Sequence, residues 1–365
     1  MELLAKTFHG LEPVLAKELE DLGATDIRPI TRGVRFAGDQ ELLYRANLHL
    51  RTALRILKPV YTFEATHEKA LYQATLDLPW SEHLNLDQTF AIDSVVFSDL
   101  FKHSKYVALK MKDAIVDRFR AETGKRPSID THRPDLRINV HVSGSRFSIS
   151  FDSSGDSLHK RGYRQRGHQA PLNEVLAAGM LLLAGWHKNI PLIDPMCGTG
   201  TIPFEAALMA RNRAPGIHQQ HFGFTRWNDF DRALWKRLQT EAKDNESQPR
   251  VQIFASDIDG GTLDQTRVTA IDHDLNRQIR FSRSAFERLK PPTDSGLIVT
   301  NPPYGERIGR DENIIELYRN IGNNLKQNYQ GFDAWVLSSN VAALKQVGLR
   351  PSAKHTLFNG PLECR

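Results

Sequence analysis

Residues 296–305 read GLIVTNPPYG, an apolar run that ends in Asn301, Pro302, Pro303 and Tyr304. These residue types suit one kind of chemistry. A planar exocyclic amine is a poor nucleophile because its lone pair is delocalised into the ring. Two neighbouring acceptors can hold its N–H groups and turn the lone pair toward an electrophile. The Asn301 side-chain oxygen and the Pro302 carbonyl are such acceptors. The prolines fix φ and keep them rigid. Tyr304 can stack on a base, a contact worth ~1–3 kcal/mol. In-line approach and preorganised dipoles would then carry the reaction. No metal, general-base histidine or covalent cysteine is required. Taken alone, the stretch also reads as a proline-rich turn after a strand.

A second feature lies upstream. Residues 192–204 read LIDPMCGTGTIPF, an apolar strand, a tight turn and the start of a helix. Gly198 and Gly200 lack Cβ atoms, so the backbone can approach a ligand closely. The turn lacks the third glycine of a dinucleotide fingerprint and the Lys-Ser/Thr pair of a P-loop. It resembles the first motif of class I methyltransferases dependent on S-adenosylmethionine. That resemblance puts Asp194, Pro195, Cys197, Gly198, Gly200 and Thr201 around the cofactor, with Cys197 as a small filler and not a nucleophile. Asp257 ends the next strand, where a carboxylate can accept both ribose hydroxyls. Asp259, two residues on, is the better helix cap. Asp257 follows Asp194 by 63 positions. The insertion Arg213–Gln248 accounts for the distance, either as a surface helical excursion or as a wall around the target base. Methyltransferases often set an acidic residue beside the adenine after the following strand. Ser284 stands there instead.

These turns need a frame. Apolar strands near 190–194, 251–256, 278–282, 296–300 and 332–338 alternate with helices at 172–187 and 201–212, which implies a mostly parallel α/β sheet. Residues 352–365 read as a hairpin turning at Asn359-Gly360. The first half differs. Strands at 2–8, 33–37 and 89–97, a strand at 51–62 broken by Pro59, and helices at 11–22, 39–50 and 66–76 make an α+β pattern. Helix 103–122 carries Val107, Met111, Ile115 and Phe119 on one face, and 136–151 is a hairpin around Ser-Gly-Ser. DSSGD at 152–156 reads as a domain edge, followed by a basic linker.

Composition bounds the class. The chain has 365 residues, 40% hydrophobic and 25% charged, which fits two or three globular domains and excludes extensive disorder. Net charge is +5. Residues 98–168 alone carry 15 Lys and Arg against 8 Asp and Glu, so the excess sits in one stretch. That stretch reads equally as a solvated face or a polyanion-binding surface. Its exposed faces include Lys102, Lys105, Lys110, Lys112 and Arg133. Two distant cysteines, Cys197 and Cys364, form neither a disulfide framework nor a zinc site and fit a reducing cytosol. Residues 1–22 have no apolar core of a signal peptide. The longest apolar run, 175–186, is too short to span a membrane. A cytoplasmic protein with no metal and no membrane partner is expected.

The combination of LHKRGYRQRGHQAPLNEVLAAGML (158–181), DPMCGTGTIPFEAALMA, NPPYGERIG and LFNGPLECR is specific. It resembles the THUMP-containing RNA guanine-N2 methyltransferases over nearly the whole chain. The resemblance implies a ferredoxin-like part at 1–42, a THUMP RNA-binding domain at 43–154, a basic linker at 155–171 and, at 172–365, a Rossmann-like methyltransferase domain with a seven-stranded sheet. It implies that Asn301, Pro302 and Tyr304 hold a guanine of 23S ribosomal RNA, and that Leu172, Asn173 and Glu174 lie near the methionine end of S-adenosylmethionine. His159, Lys160, Arg161, Tyr163, Arg164 and Arg166 either meet RNA phosphate or brace the domain junction. Against family members with a second methyltransferase domain, this chain resembles a single-activity version. It stops at Arg365, where the family's last strand would continue, so a shortened chain is expected. Transfer RNA enzymes also carry THUMP modules and are the nearest alternative. A non-catalytic RNA-binding or assembly protein is the alternative of another class.

Overall fold

The computed structural model describes residues 1–164, 172–305 and 311–365. The first half is built from β1 (Glu2–Lys6), α1 (Glu12–Asp21), β2 (Thr25–Ile30), β3 (Gly33–Ala37), α2 (Gln40–His49), β4 (Arg55–Glu64), α3 (Glu68–Leu76), β5 (Thr89–Phe97), α4 (Ser104–Thr123), β6 (Ser128–Ile129), β7 (Leu136–Ser143) and β8 (Arg146–Asp152). Its strands join one continuous sheet in the order β2-β3-β1-β4-β8-β7-β5-β6. β4 is the shared member. Its first residues pair with β1, and almost its whole length pairs with β8. Pro59 does not break it. A bulge between Pro59 and Tyr61 absorbs the missing N–H, the usual accommodation for proline in a sheet. β2 escapes sequence reading because it is an exposed edge strand without alternation, formed by pairing with β3.

Alternation on the other strands fills the core. Leu3, Ala5, Val34 and Phe36 face Leu15 and Leu19 of α1, an i,i+4 pair. Ile138, Val140, Phe147 and Ile149 face Val107, Met111, Ile115 and Phe119 of α4, the face that its spacing predicts. The DSSGD segment is packed against its neighbours. Ser153 and Ser154 are fully buried, and Asn47 bonds both hydroxyls, at 2.8 and 2.6 Å. Gly155 packs so closely on Gly223 that a Cβ would lie 2.9 Å from the Gly223 nitrogen. A side chain at either position would push the two segments apart.

The second half comprises α5 (Glu174–Leu183), β9 (Leu192–Asp194), α6 (Thr201–Ala210), α7 (Arg232–Asp244), β10 (Ile253–Asp257), α8 (Gly260–Asp272), β11 (Ile279–Arg283), β12 (Gly296–Thr300), α9 (Asp311–Asn328), β13 (Phe332–Val336), α10 (Val341–Gln346), β14 (Leu357–Asn359) and β15 (Leu362–Cys364). Five of these strands form a fully parallel sheet, ordered β11-β10-β9-β12-β13. The α/β class is as the sequence implies. The strand number is five among the described residues, not seven, because β14 and β15 pair only with each other. This hairpin is stitched back to the sheet by two backbone bonds of 2.9 Å between Ser338 and Arg365.

The insertion 213–248 is not a free surface excursion. It docks on the N-terminal sheet's helix α2. Arg45 grips Glu241 with two bonds of 2.9 and 2.8 Å, and Tyr44 stacks on Phe224 at 4.3 Å. Phe222, Phe224, Trp235 and Leu238 share one buried cluster with Leu15 and Phe36. Burial of such aromatics fastens the two halves together. Among the described residues, no helix is long and apolar enough to cross a membrane.

Candidate active site

From β9 the chain moves outward to β10 and β11, then crosses back to β12 and β13 on the other side. The order reverses between β9 and β12. Open parallel sheets take ligands at the carboxyl ends of strands at such a reversal. The segments that leave β9, β10 and β12 are the glycine turn, Asp257 with Asp259, and Asn301–Tyr304. The Thr300 hydroxyl donates to Asp194 Oδ1 at 3.1 Å, which ties the ends of β9 and β12. Sequence reasoning missed Thr300, although it directly precedes Asn301.

The turn itself is a cradle. Gly198 and Gly200 have φ of +50° and +78°. Nothing lies within 4 Å of a Cβ built on Gly198, so the space above it is open. A Cβ on Gly200 would strike Thr266 Cγ2 at 2.6 Å. The Gly198 N–H donates to Asp257 Oδ2 at 2.8 Å, and the Asp259 N–H to Asp257 Oδ1 at 2.9 Å. Each oxygen of half-buried Asp257 keeps a further lone pair. Asp259 caps α8 through Gly261 and Thr262. The Ser284 N–H donates to the Asp257 carbonyl at 3.1 Å, so Ser284 sits beside Asp257 at the strand ends. Its hydroxyl bonds the Ala285 carbonyl at 3.0 Å.

Asp194 is 1% exposed, and burial, with the Asp257 charge nearby, pushes its carboxyl up to about 7. Pro195 and Thr201 are buried in the frame of the turn. Burial pushes the Cys197 thiol well up, against a thiolate role. Asn173 caps α5 by accepting from the Val175 N–H at 2.9 Å. Glu174, also raised to about 7 by burial, pairs with Arg164 at 3.1 Å, and its Oε2 is buried without a partner among the described residues.

At the second motif the structure adds contacts that the sequence does not announce. The Tyr304 hydroxyl donates to Asn301 Oδ1. The ring packs against the core that holds Leu357 and Cys364, and the hydroxyl meets Asn359 Nδ2 at 3.4 Å and Cys364 Sγ at 3.8 Å. Asn340 Nδ2 donates to the Tyr304 carbonyl at 3.0 Å, and the Tyr318 hydroxyl to the Pro303 carbonyl at 3.2 Å. Sequence reasoning aimed the tyrosine at a base and did not see its partners Asn340, Asn359 and Cys364. They lie 36 to 60 residues away, and only the segment LFNGPLECR signalled any of them.

The basic residues divide. Lys102, Lys105 and Arg133 are exposed. Lys110 lies 5.3 Å from the Tyr72 ring centroid, Lys112 pairs with Asp113, and exposed Lys160 pairs with Asp156 at 2.8 Å. Arg161 cannot meet RNA. It is 3% exposed, 3.5 Å from Glu205, and donates to the Leu158 and Arg51 carbonyls. Tyr163 donates to the same Glu205 at 2.9 Å. Exposed Arg164 pairs with Glu174 and donates to the Leu172 carbonyl at 2.7 Å. Arg161 braces the junction. Arg166 lies outside the described residues. Among the described residues, no group of three His, Cys, Asp or Glu side chains is arranged to hold a metal.

Residues 161–365 match the family model for the RMKL-like methyltransferase domain. The chain belongs to this methyltransferase family. Ahead of that domain, 2–57 match the RlmL ferredoxin-like domain and 65–152 the THUMP domain. The chain is 40% identical over 99% of its length to slr0064 of Synechocystis, which carries an RNA methyltransferase name, and covers 94% of that protein. It is equally 40% identical, over its full length, to the ribosomal RNA large subunit methyltransferase K/L of Syntrophotalea carbinolica. It spans only 53% of that longer relative. Among solved structures, SMU.472, a methyltransferase by its title and complexed with SAH, matches with a TM-score of 0.90 at 29% identity, covering 100% of this chain and 96% of that one.

Proposed function

We propose that this enzyme transfers a methyl group from S-adenosylmethionine to the N2 amine of a guanine in 23S ribosomal RNA, in the cytoplasm. One observation carries the reading. The glycine cradle and the Asn301–Pro302 acceptors leave adjacent strands at the sheet's reversal, joined by the Thr300–Asp194 bond. The cradle fits the cofactor. Its open space over Gly198 admits the ligand, and a buried carboxylate at Asp194 suits a cationic one. S-adenosylmethionine supplies an electrophilic methyl on a positively charged sulfur. Asp257 would take the ribose hydroxyls, Ser284 the adenine edge, and Asn173 and Glu174 the methionine end, with Pro195, Cys197, Gly198, Gly200 and Thr201 as the floor. Asn301 Oδ1 and the Pro302 carbonyl would hold a guanine flipped from its stack. Lys102, Lys105, Lys110, Lys112, Arg133 and Lys160 would meet RNA phosphate, which orients the RNA without reading its sequence. The RNA and ribosomal names of the relatives support the substrate class.

The test is transfer of labelled methyl to undermethylated 23S ribosomal RNA, with unmodified transfer RNA alongside. Label in the ribosomal RNA alone is expected. Label in transfer RNA alone would move the substrate, and failure to bind S-adenosylmethionine in calorimetry would leave an RNA-binding protein without catalysis.

Cofactor affinity should also depend on pH. Burial raises the Asp194 carboxyl to about 7, so below that pH the empty site is protonated. A cationic ligand favours the carboxylate, so binding releases a proton. Affinity should therefore weaken as pH falls through 7, by at most about tenfold per unit for one proton, and level off above. Glu174 titrates in the same range. The Asp194→Asn variant separates them, and in calorimetry from pH 5.5 to 8.5 it should lose most of the slope. A wild-type affinity flat across that range would remove Asp194 from the cofactor.

A further inference from the structure

We infer that Tyr304 is a positioning residue that fixes which way the Asn301 carboxamide points, and that the C-terminal hairpin, through Asn359, holds Tyr304 in that task. The inference rests on the proposed amine-methylating site and gives the hydroxyl of this tyrosine a role separate from that of its ring.

An asparagine side chain has an accepting end and a donating end of nearly the same shape. Only the accepting end can hold a substrate amine, so a site that left the carboxamide free to flip would present the wrong end part of the time. The hydrogen-bond network works against that freedom. A phenol has one proton to give and two lone pairs to fill. The Asn359 amide nitrogen can only donate, and it approaches the Tyr304 oxygen at 3.4 Å. The Cys364 thiol also faces that oxygen, at 3.8 Å, while sharing its proton with the Leu362 carbonyl at 3.7 Å. With a donor already on the phenol oxygen, its own proton goes to the strong acceptor present, Asn301 Oδ1. A flipped Asn301 would set its NH2 against the phenol, and among the described residues the phenol proton would then fall to the weak sulfur acceptor unless Asn359 flipped as well. The carbonyl of Asn301 has a second lone pair, and this one remains for the substrate amine.

The rest of the setting is rigid. Asn340 pins the Tyr304 carbonyl and caps α10 through the Ala343 N–H, while Tyr318 pins the Pro303 carbonyl. Burial holds the phenol far above its ordinary range, so the donated proton is present at every physiological pH. The hairpin is anchored independently by its backbone bonds to Ser338. It is the last element of the chain here, yet it reaches the acceptor that the reaction needs.

Tyr304→Phe separates the two roles because it keeps the ring and removes the hydroxyl. If Tyr304 orients Asn301, kcat should fall at least about tenfold, with KM for RNA and S-adenosylmethionine affinity unchanged. The carboxamide 1H–15N signals of Asn301, assigned by their loss in Asn301→Asp, should shift in the variant. Asn359→Ala should lower kcat in the same direction, and should cost nothing further in the Tyr304→Phe background, as expected for residues on one chain of contacts. A Tyr304→Phe enzyme with wild-type kcat and unshifted Asn301 signals would overturn the inference, as would Asn359→Ala effects that multiply with those of Tyr304→Phe. The ratios are read with whichever amine the wild type methylates. A wrong substrate assignment would therefore appear in the wild type and leave the ratio test intact.

Discussion

Replacing Asn301 by alanine is expected to lower kcat by about 100- to 1,000-fold, the usual cost of removing one preorganised group at a reacting centre. The other acceptor is the Pro302 backbone carbonyl, which substitution cannot delete, so Asn301 is the removable half of the pair. The guanine amine would then be held at one point and could rotate its lone pair away from the methyl. Cofactor affinity should survive, because Asn301 contacts Tyr304 and the cradle is built from β9 and β10. Folding should survive with a loss of about 1 kcal/mol, since the Tyr304 hydroxyl loses one partner and keeps Asn359 as another. Asn301→Asp keeps an oxygen acceptor and should retain more activity than Asn301→Ala. Single-turnover kinetics with calorimetry on both variants checks this. Wild-type turnover in Asn301→Ala would remove the residue from the reaction.

Arg161→Ala should destabilise the fold by about 3–5 kcal/mol, because it strands a buried carboxylate. The side chains of Arg161 and Glu205 are 2% and 0% exposed. Arg161 also satisfies two backbone carbonyls, one of them on Arg51, which in turn donates to the Arg213 carbonyl at 2.8 Å. The cluster therefore links the N-terminal sheet, the segment after β8 and the methyltransferase half. Arg161→Met combined with Glu205→Leu removes both charges and should recover most of the loss, though the Tyr163 hydroxyl gives up its partner. Chemical denaturation reads these energies. RNA affinity per folded molecule should not change. A Arg161→Ala protein with wild-type stability and weakened RNA binding would mean that the arginine faces RNA after all.

The sequence exposed the chemistry more fully than the architecture that carries it. Gly198, Gly200, Asp257 and Asn301 were legible because a strand running into glycines, an acid or Asn-Pro-Pro-Tyr is a local pattern, and the strand order then brings those ends together. The face of α4 was legible for the same reason, since helical spacing repeats along contiguous residues. What stayed hidden depends on distant partners. β2 exists because β3 pairs with it. Pro59 sits inside a strand because a bulge accommodates it. DSSGD reads as a domain edge by composition, and nothing local says that Asn47 and Gly223 pack on it. Arg161 reads equally as a phosphate contact or a junction brace, and Glu205, far along the chain, decides for the brace. The partners of the Tyr304 hydroxyl were hidden because nothing local to it names Asn359 or Cys364.

The same distinction applies to charge. The basic excess of 98–168 includes residues that are buried or paired, and the surface left for RNA is narrower than the count suggests. Exposed Lys102, Lys105 and Arg133 remain the strongest candidates for phosphate contact.

The most direct measurement is the identity of the methylated nucleoside. Undermethylated 23S ribosomal RNA would be incubated with the enzyme and methyl-labelled S-adenosylmethionine, digested to nucleosides and resolved by mass spectrometry. The account predicts label in N2-methylguanosine, lost in Asn301→Ala. Label in a methylated adenosine or cytidine, or in no nucleoside at all, would contradict it.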